Sequence, residues 1–518
     1  MSQNYVLAYD LGTSGVKCSI VNYEGRIVAM DTESYPLYTP KEAWAEQEPE
    51  DYWNGICKAT KNVLGKADVV PELIKGIAFS SQWKNIIPMD KDFNVLHRSI
   101  LWLDARAGKQ AKELNKVMQF NYFKEKFIGG KPSSKLNAAL GRNVVCGADY
   151  WPKLKWLKDE LPEVYEKTAV IMDCNTYVKW RATGNVVSDM TSHFTKSYSK
   201  GSQSTYDLIL KLCKVDTALF PEIMETTGKA GELTEKAAEE MGLLPGIPVF
   251  GGCGDIPAIS VGGGCTELGS THAYFGSSGW LASMVKNEEG FLSVSPFSKE
   301  YDLLCFGLQA IGLSFDWTVN QLYHREKEEL GEGIFAFLQE ELKDIPAGSK
   351  GLLATHWIFG ERPPFFGDDA RGVFVNLHSQ HDRRYMLNAM MESVCYSMKL
   401  GLDALEKGTG RKIEKINAVG GGTLNEHWMQ ILADVLQIPV CIPAETRHSG
   451  TIGTAYCALI GLGVCKDFSE AARRIEIVKT FTPNPENRET YETMLGQYKK
   501  LYKSMKPVFA VLTKEALT

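Results

Sequence analysis

No run of this 518-residue chain is apolar and long enough to span a bilayer. The first residues, Met1-Ser2-Gln3-Asn4, are polar and lead straight into a strand pattern, so a signal peptide is not expected either. Lysine and arginine form no block, and the net charge is −6, which argues against a nucleic-acid or anionic-membrane surface. No G-K-[ST] tripeptide exists, which excludes a Walker-type phosphate loop. The twelve cysteines include no C-x-x-C pair, and Cys18, Cys305, Cys395 and Cys457 lie in apolar runs. Buried free thiols in a reducing, cytoplasmic setting fit this pattern better than a disulfide framework or a zinc site. Among the nine histidines there is no H-E-x-x-H, and a polar turn around Ser379 and Gln380 explains His378 and His381 better than a metal does.

Glycine, by contrast, is plentiful and placed in order. Tyr5-Val6-Leu7-Ala8-Tyr9 leads into Asp10-Leu11-Gly12-Thr13-Ser14-Gly15-Val16-Lys17, and the flanks read as two strands around a tight turn. Small residues in such a turn expose backbone N–H groups and short hydroxyls, a concavity that suits a phosphate. Asp10 precedes the turn, where a carboxylate can hold Mg²⁺ against that phosphate. The device recurs: Thr271-His272-Ala273-Tyr274-Phe275, then Gly276-Ser277-Ser278-Gly279, then Trp280-Leu281-Ala282-Ser283. A second turn follows each copy, at Asn22-Tyr23-Glu24-Gly25 and at Asn287-Glu288-Glu289-Gly290, and each then enters an alternating run, 26–30 and 291–294. Duplicated β-meanders heading two related domains are expected. Two phosphate loops facing across a cleft are how an actin-like ATPase holds a nucleotide.

A chain of this length is too long for one core, and a composition of 44% hydrophobic and 23% charged residues is that of a soluble globular protein. Helices are expected over 50–65, 151–166, 171–181, 311–330 and 383–407, from near Asn425, and beyond about Pro483. Strands are expected over 74–79, 86–90, 95–103, 247–250 and 415–419, with 86–90 and 95–103 continuing the first sheet. The junction falls after the glycine-rich turn Gly251-Gly252-Cys253-Gly254-Asp255, giving domains 1–257 and 258–518. Asp255 ends a buried strand; it is read either as the group that takes a proton from an acceptor hydroxyl or as a helix N-cap before Ile256-Pro257.

These motifs, in this order, resemble the FGGY family of carbohydrate kinases over nearly the whole length. The residues that carry the resemblance are the Asp10–Lys17 segment, Trp102-Leu103-Asp104-Ala105-Arg106, Pro152-Lys153-Leu154-Lys155-Trp156-Leu157, Gly254-Asp255, Gly276–Gly279, Gly360-Glu361-Arg362 with Ala370-Arg371-Gly372, and Gly420-Gly421-Gly422 with Trp428, Gln430 and Asp434. The resemblance implies an α/β fold of two duplicated actin-like, ribonuclease H-like domains, with nucleotide and sugar bound in a cleft between them. It implies ATP and Mg²⁺ as cofactors, a small-molecule sugar as partner, and a homodimer as the family-level expectation. Asp255 is then the catalytic base. Asp10, with Asp255, stands on the metal side. Gly12, Thr13, Ser14, Lys17, Gly276, Ser277, Ser278, Gly420, Gly421, Gly422 and Asn425 are the nucleotide contacts, although Lys17 on an alternating strand could instead face solvent.

For the sugar the resemblance points to Gln82, Trp83, Lys84, Asp104 and Asp255. At the two positions after Gln82, pentulose kinases of the family usually carry Met-His, and Ile256 stands where an Asn is common. Lys84 could pair with a substrate carboxylate, which opens gluconate, or with a protein acid such as Asp104. The leading expectation is therefore phosphorylation of a pentulose. Gluconate, ribulose and polyol acceptors are alternatives within the class, and a non-catalytic actin-like binding protein is the alternative outside it.

Overall fold

The computed structural model describes residues 4–127, 145–198, 200–287, 294–362, 367 and 369–513. The chain forms two compact units, the first from residues 1–266, 285–303 and 448–474, the second from 267–284, 304–447 and 475–518. The expected boundary at 257/258 falls within the helix Asp255–Gly262, which belongs to the first unit.

The first unit is built on a sheet of β1 (Tyr5–Leu11), β2 (Gly15–Asn22), β3 (Ile27–Ser34), β4 (Ile74–Ser81), β5 (Lys229–Glu232) and β6 (Pro248–Phe250), in the order β5-β6-β4-β1-β2-β3. β1 to β3 form the antiparallel meander; β4 runs parallel to β1, and β6 parallel to β4. Val6, Leu7, Ala8 and Tyr9 are fully buried, as a strand covered on both faces requires.

Helix α1 (Pro49–Ala67) packs on this sheet. Pro49 fits its first turn, Glu50 and Asp51 favour its positive end, and Tyr52, Trp53, Ile56, Ala59, Thr60 and Val63 form its buried stripe. Tyr9 and Thr60 are hydrogen-bonded at 2.6 Å between their hydroxyl oxygens, which fixes the helix against β1. Asp173 caps α2 (Cys174–Thr183), its carboxylate accepting from Thr176 N at 2.7 Å. Two more helices complete the part used below: α3 (Asp255–Gly262) and α6 (Ser449–Gly461), both in the first unit.

The second unit repeats the plan. Its strands β7 (Thr271–Phe275), β8 (Gly279–Lys286), β9 (Tyr301–Leu308), β10 (Ile416–Val419), β11 (Val440–Pro443) and β12 (Ile477–Phe481) lie in the order β9-β8-β7-β10-β11-β12. β10 is parallel to β7 and β11 to β10, as β4 is to β1 and β6 to β4. One connection differs: β5 precedes β6 in the chain, whereas the corresponding β12 follows β11. Helices α4 (Arg383–Thr409), α5 (Glu426–Leu436) and α7 (Arg488–Leu512) contribute to this core, where Phe315 and Phe275 pack on Trp428. Tyr491 and Tyr498 of α7 are buried in it, so the C-terminal helix lays one face on the core.

Several expectations are corrected. Residues 86–90 and 95–103 do not continue the sheet: Ile87–Met89 pairs with Val170–Met172, and Ser99–Ile100 with Glu46–Gln47. The 151–166 helix breaks at Leu161, which precedes Pro162 and leaves the helical region at φ −129° and ψ 58°, giving Tyr150–Glu160 and Pro162–Lys167. Residues 170–172 are strand because the Asp173 cap starts the helix only at Cys174. The 311–330 helix is two, Gly312–Leu322 and His324–Leu330. The third strand of the second meander is β9, since it neighbours β8. The run expected there at 291–294, and the turn before it, fall largely on 288–293, outside the described residues. Among the described residues no helix is long and apolar enough to cross a membrane.

Candidate active site

In the first unit, sheet register brings three residues to one spot. Asp10 pairs across the ladder with Lys17 on β2 and with Ser80 on β4. Lys17 Nζ lies 3.8 Å from Asp10 Oδ2, and Ser80 donates its hydroxyl to Asp10 Oδ1 at 3.3 Å. Lys17 therefore leans toward Asp10 while its side chain stays 39% exposed. The N-terminal turn of α6 closes on the same carboxylate: a Cβ on Gly450 would stand 2.6 Å from Asp10 Oδ2.

Asp255 is the first residue of α3, and the N-cap position is filled by Gly254, not by Asp255. Asp255 Oδ1 accepts from the N–H of Ile256 at 2.9 Å. Desolvation, with the charge of Asp10 second, pushes the Asp255 carboxyl up to about 7. A carboxyl poised there exchanges a proton near neutral pH, as general-base work requires.

The glycine turn before Asp255 is shaped by close approaches. Gly252 has φ +67°, and a Cβ on it would stand 1.9 Å from Phe79 O. A Cβ on Gly254 would stand 1.6 Å from Trp83 Nε1. Trp83 thus lies directly against the residue before Asp255, and its buried indole N–H has no hydrogen-bond partner among the described residues. Its ring meets Phe194 edge-on, centroids 5.4 Å apart.

Lys84 pairs with a protein acid, but with Asp149 rather than the expected Asp104: Nζ donates to Asp149 Oδ1 at 2.7 Å. The cation holds the Asp149 carboxyl below its usual range despite burial. Lys84 itself has φ +62°, and its carbonyl accepts from the fully buried Lys153 Nζ at 2.9 Å. Lys153 also donates to Leu101 O at 2.7 Å; burial, then the charge of Lys84, brings its ammonium down to about 7.

Asp104, expected at the sugar, is instead fully buried. Arg106 donates to both of its oxygens from Nε at 2.9 Å, and Ala45 N donates to Oδ2 at 2.6 Å. The W-x-D-x-R element is here a brace: Arg106 continues to Glu46 Oε1 at 2.6 Å, and its guanidinium stacks 3.8 Å from the Trp44 ring centroid.

Gln82 is likewise part of a frame. Its Nε2 donates to Gln47 Oε1 at 2.9 Å, and its Oε1 accepts from the Thr13 hydroxyl at 3.2 Å. Thr13 Oγ1 also accepts from Trp102 Nε1 at 2.9 Å, and Gln47 Nε2 donates to Thr13 O at 2.6 Å. The loop Gly12–Gly15 is closed by Gly12 N donating to Gly15 O at 3.0 Å, and Ser14 at its tip is exposed. Gln47 was missed in the sequence because it lies in a two-residue strand that carries no motif.

The second unit gathers its own set. Tyr274 and Val419 pair across the parallel β7 and β10, so the turns Gly276–Gly279 and Gly420–Gly422 leave adjacent strand ends. Gly420 has φ +100°, and a Cβ there would stand 2.6 Å from Phe275 O, so only glycine lets the two ends meet. The carbonyls of Gly276 and Ser277 accept from Gly312 N at 2.9 Å and Ile311 N at 3.0 Å, while Ser277 is exposed. Asn425 caps α5, its Oδ1 accepting from Trp428 N at 3.0 Å, and its buried Nδ2 has no hydrogen-bond partner among the described residues. Gln430 and Asp434 anchor the chain before α7: Asp434 Oδ1 accepts from Gln430 Nε2 and from Asn484 N, both at 2.7 Å.

Residues 5–262 match the N-terminal domain of the FGGY family of carbohydrate kinases, and residues 280–462 match its C-terminal domain. The chain belongs to the FGGY family of carbohydrate kinases. It is a carbohydrate kinase, and the reading of a non-catalytic binding protein is set aside. It is similar to a xylulose kinase of Bacillus subtilis (strain 168), 28% identical over 523 residues that cover 98% of each chain. Among solved structures it resembles a gluconate kinase of Lactobacillus acidophilus, with TM-score 0.83 at 23% identity over 99% of this chain and 100% of that one. It resembles a ligand-bound xylulose kinase of the same organism equally, with TM-score 0.83 at 22% identity over 98% and 100%. The two-domain α/β fold of the sugar kinases is thus the fold of this chain. Kinases of this family bind a sugar and ATP.

Proposed function

We propose that this kinase transfers the γ-phosphoryl group of ATP to a hydroxyl of a pentulose, D-xylulose first, with Asp255 as the general base. The observation that carries this reading is the pair Asp10 and Asp255: one carboxylate held in register by Lys17 and Ser80, the other poised near neutral pH at the head of α3. The acceptor oxygen attacks phosphorus, its proton passes to the Asp255 carboxylate, and the bond to the leaving ADP breaks.

The residues fit a magnesium ion. Asp10 and Asp255 are hard oxygen donors, and the charge of Asp10 raises the Asp255 carboxyl, a like-charge repulsion that a cation relieves. Among the described residues no cluster of three or more metal-ligating side chains exists, which suits an ion completed by substrate phosphates and water. Bound there, Mg²⁺ would neutralise phosphate charge. In this reading Gly12 to Ser14 and Lys17 receive phosphate from the first unit. Gly276 to Ser278, the Gly420–Gly422 turn and the Asn425 amide, which has no hydrogen-bond partner among the described residues, are the proposed nucleotide contacts of the second unit.

On the sugar side, the Trp83 indole N–H is a buried donor without a partner among the described residues, beside the residue that precedes Asp255. Lys84 is already neutralised by Asp149, which favours an uncharged pentulose over gluconate. The similarity to a xylulose kinase over nearly the whole length supports the same choice. None of the twelve cysteines is in a disulfide, which supports a reducing, cytoplasmic setting.

ADP release with Mg-ATP tests the reading against D-xylulose, D-ribulose, L-ribulose, L-xylulose, glycerol, erythritol and D-gluconate. Turnover led by a pentulose is expected. Turnover on gluconate alone would overturn the substrate choice and return Lys84 to the role of carboxylate anchor.

A further inference from the structure

Four buried side chains that carry no assigned role converge on the turn before Asp255. Lys179, on α2, is fully buried and donates to Gly251 O at 2.9 Å. Asn175, one turn earlier on the same helix, donates from Nδ2 to Cys253 O at 3.3 Å and to Asp189 Oδ2 at 3.1 Å. Thr191 accepts from Gly254 N at 2.8 Å. Thus Gly251 O, Cys253 O and Gly254 N, polar groups of the four residues ahead of Asp255, are each held by a side chain rather than by a ladder partner alone.

Asp189 joins these three. Its Oδ1 accepts the Thr191 hydroxyl at 2.6 Å and the N–H groups of Thr191 and Ser192 at 2.9 and 3.0 Å. Giving its proton to Asp189 leaves the Thr191 oxygen a lone pair for Gly254 N–H, so the carboxylate sets the direction of that bond. Lys179 Nζ lies 3.9 Å from Asp189 Oδ2, and both side chains are fully buried. Burying two charges this way is costly, and hydrophobic residues of like volume would serve stability as well. The geometry gives the pair another use, because its hydrogen bonds end on the backbone of the turn.

We infer that Lys179, Asp189, Asn175 and Thr191 form a positioning unit that fixes the Gly251–Gly254 turn and so aims the Asp255 carboxylate at the acceptor hydroxyl. The inference rests on the reading of Asp255 as base. The turn has little rigidity of its own: Gly251, Gly252 and Gly254 have no side chains with which to pack, and Gly252 occupies φ +67°. Small displacements of a reacting group cost large factors in rate, so the unit acts on turnover rather than on binding.

Thr191→Val tests this, since it keeps the volume and removes the hydroxyl, with Thr191→Ser as the conservative rescue. Turnover of Mg-ATP with the best sugar acceptor is read together with thermal unfolding. The valine variant is expected to lose about tenfold or more in kcat at temperatures well below its transition, with both KM values within about twofold and the unfolding temperature lowered by only a few degrees for the lost buried hydrogen bond, while serine restores kcat. Wild-type kcat in the valine variant overturns the inference. So does a serine variant as impaired as the valine one, or a loss that follows unfolding alone. Should the valine variant not fold, Asn175→Ala, which removes the donor to Cys253 O, is read by the same criteria. Asp255→Asn runs in parallel. If it keeps full turnover, the base reading itself fails. If it is inactive while Thr191→Val is unimpaired, only the positioning inference fails.

Discussion

Lys84 Nζ and Asp149 Oδ1 lie 2.7 Å apart, and in the proposed reading of the sugar site this pair sets how a charged acceptor would be met. While Asp149 neutralises the ammonium, a sugar carboxylate gains little from it. Asp149→Asn removes the counter-charge and leaves the cation in place. The ratio of kcat/KM for D-gluconate to that for D-xylulose is expected to rise about threefold or more, the scale of a part-exposed ion pair. An unchanged ratio would show that Lys84 does not face the acceptor.

With Asp255 as the proposed base, the pH dependence of turnover follows from its carboxyl. A base must be ionised to work, and burial together with the charge of Asp10 holds this carboxyl up at about 7. The acid limb of kcat/KM for the sugar is therefore expected near pH 7 or, where Mg²⁺ bound with ATP relieves the Asp10 charge, below it, with activity rising as pH rises through it. Stability runs the other way. A carboxyl raised in the folded state adds stability fully present below its unfolded value, near 3.8, and lost as pH rises through about 7. Asp255→Asn should thus raise the unfolding temperature more at pH 8 than at pH 5, while turnover collapses. An acid limb that persists unchanged in the residual turnover of Asp255→Asn would contradict the assignment.

The loops were legible because their chemistry is local. Gly12–Gly15, Gly276–Gly279 and Gly420–Gly422 announce themselves by glycine placed between alternating strands, and the repeated order of motifs carried the duplication through to two matching sheets. The long helices at Arg383–Thr409 and Glu426–Leu436 were legible from their apolar spacing and, for the second, from the Asn425 cap. What could not be read was who pairs with whom. For Lys84 the sequence suggests a protein acid such as Asp104; Arg106 claims that carboxylate, and Asp149, which no motif marks, takes its place. Short strands such as Ile87–Met89 and Ser99–Ile100 took partners far away in the chain, which no periodicity reveals. Thr191 and Asn175 lie outside every motif, and only the folded turn shows what they hold.

Trp83 provides a separate handle on the acceptor. Its indole N–H is buried without a partner among the described residues, so a sugar hydroxyl that accepted from it would satisfy a donor otherwise left costly. Trp83→Phe keeps an aromatic face and removes that donor. The KM for the best sugar is expected to rise about two- to tenfold, the net worth of one hydrogen bond, with the KM for ATP unchanged. Equal changes in both constants would place the indole away from the acceptor.

The contact between α3 and α6 makes a last prediction, because it couples stability to the position of the base. A Cβ on Gly453 would stand 1.8 Å from the backbone oxygen of Ala258, one turn beyond Asp255. The obstacle is backbone, so no side-chain rotation relieves it, and the two helices must separate. Gly453→Ala is expected to destabilise the protein by about 1–3 kcal/mol, the usual cost of overpacking. Since α3 carries Asp255 on its first residue, kcat should fall with it even where the variant is fully folded. The comparison variant is Gly421→Ala, where an added Cβ meets nothing within 4 Å and the unfolding temperature should stay near wild type. Unfolding followed by circular dichroism, with kcat measured well below the transition, separates the two effects. A Gly453→Ala protein as stable and as fast as wild type would mean that the close helix contact does not hold the base in place.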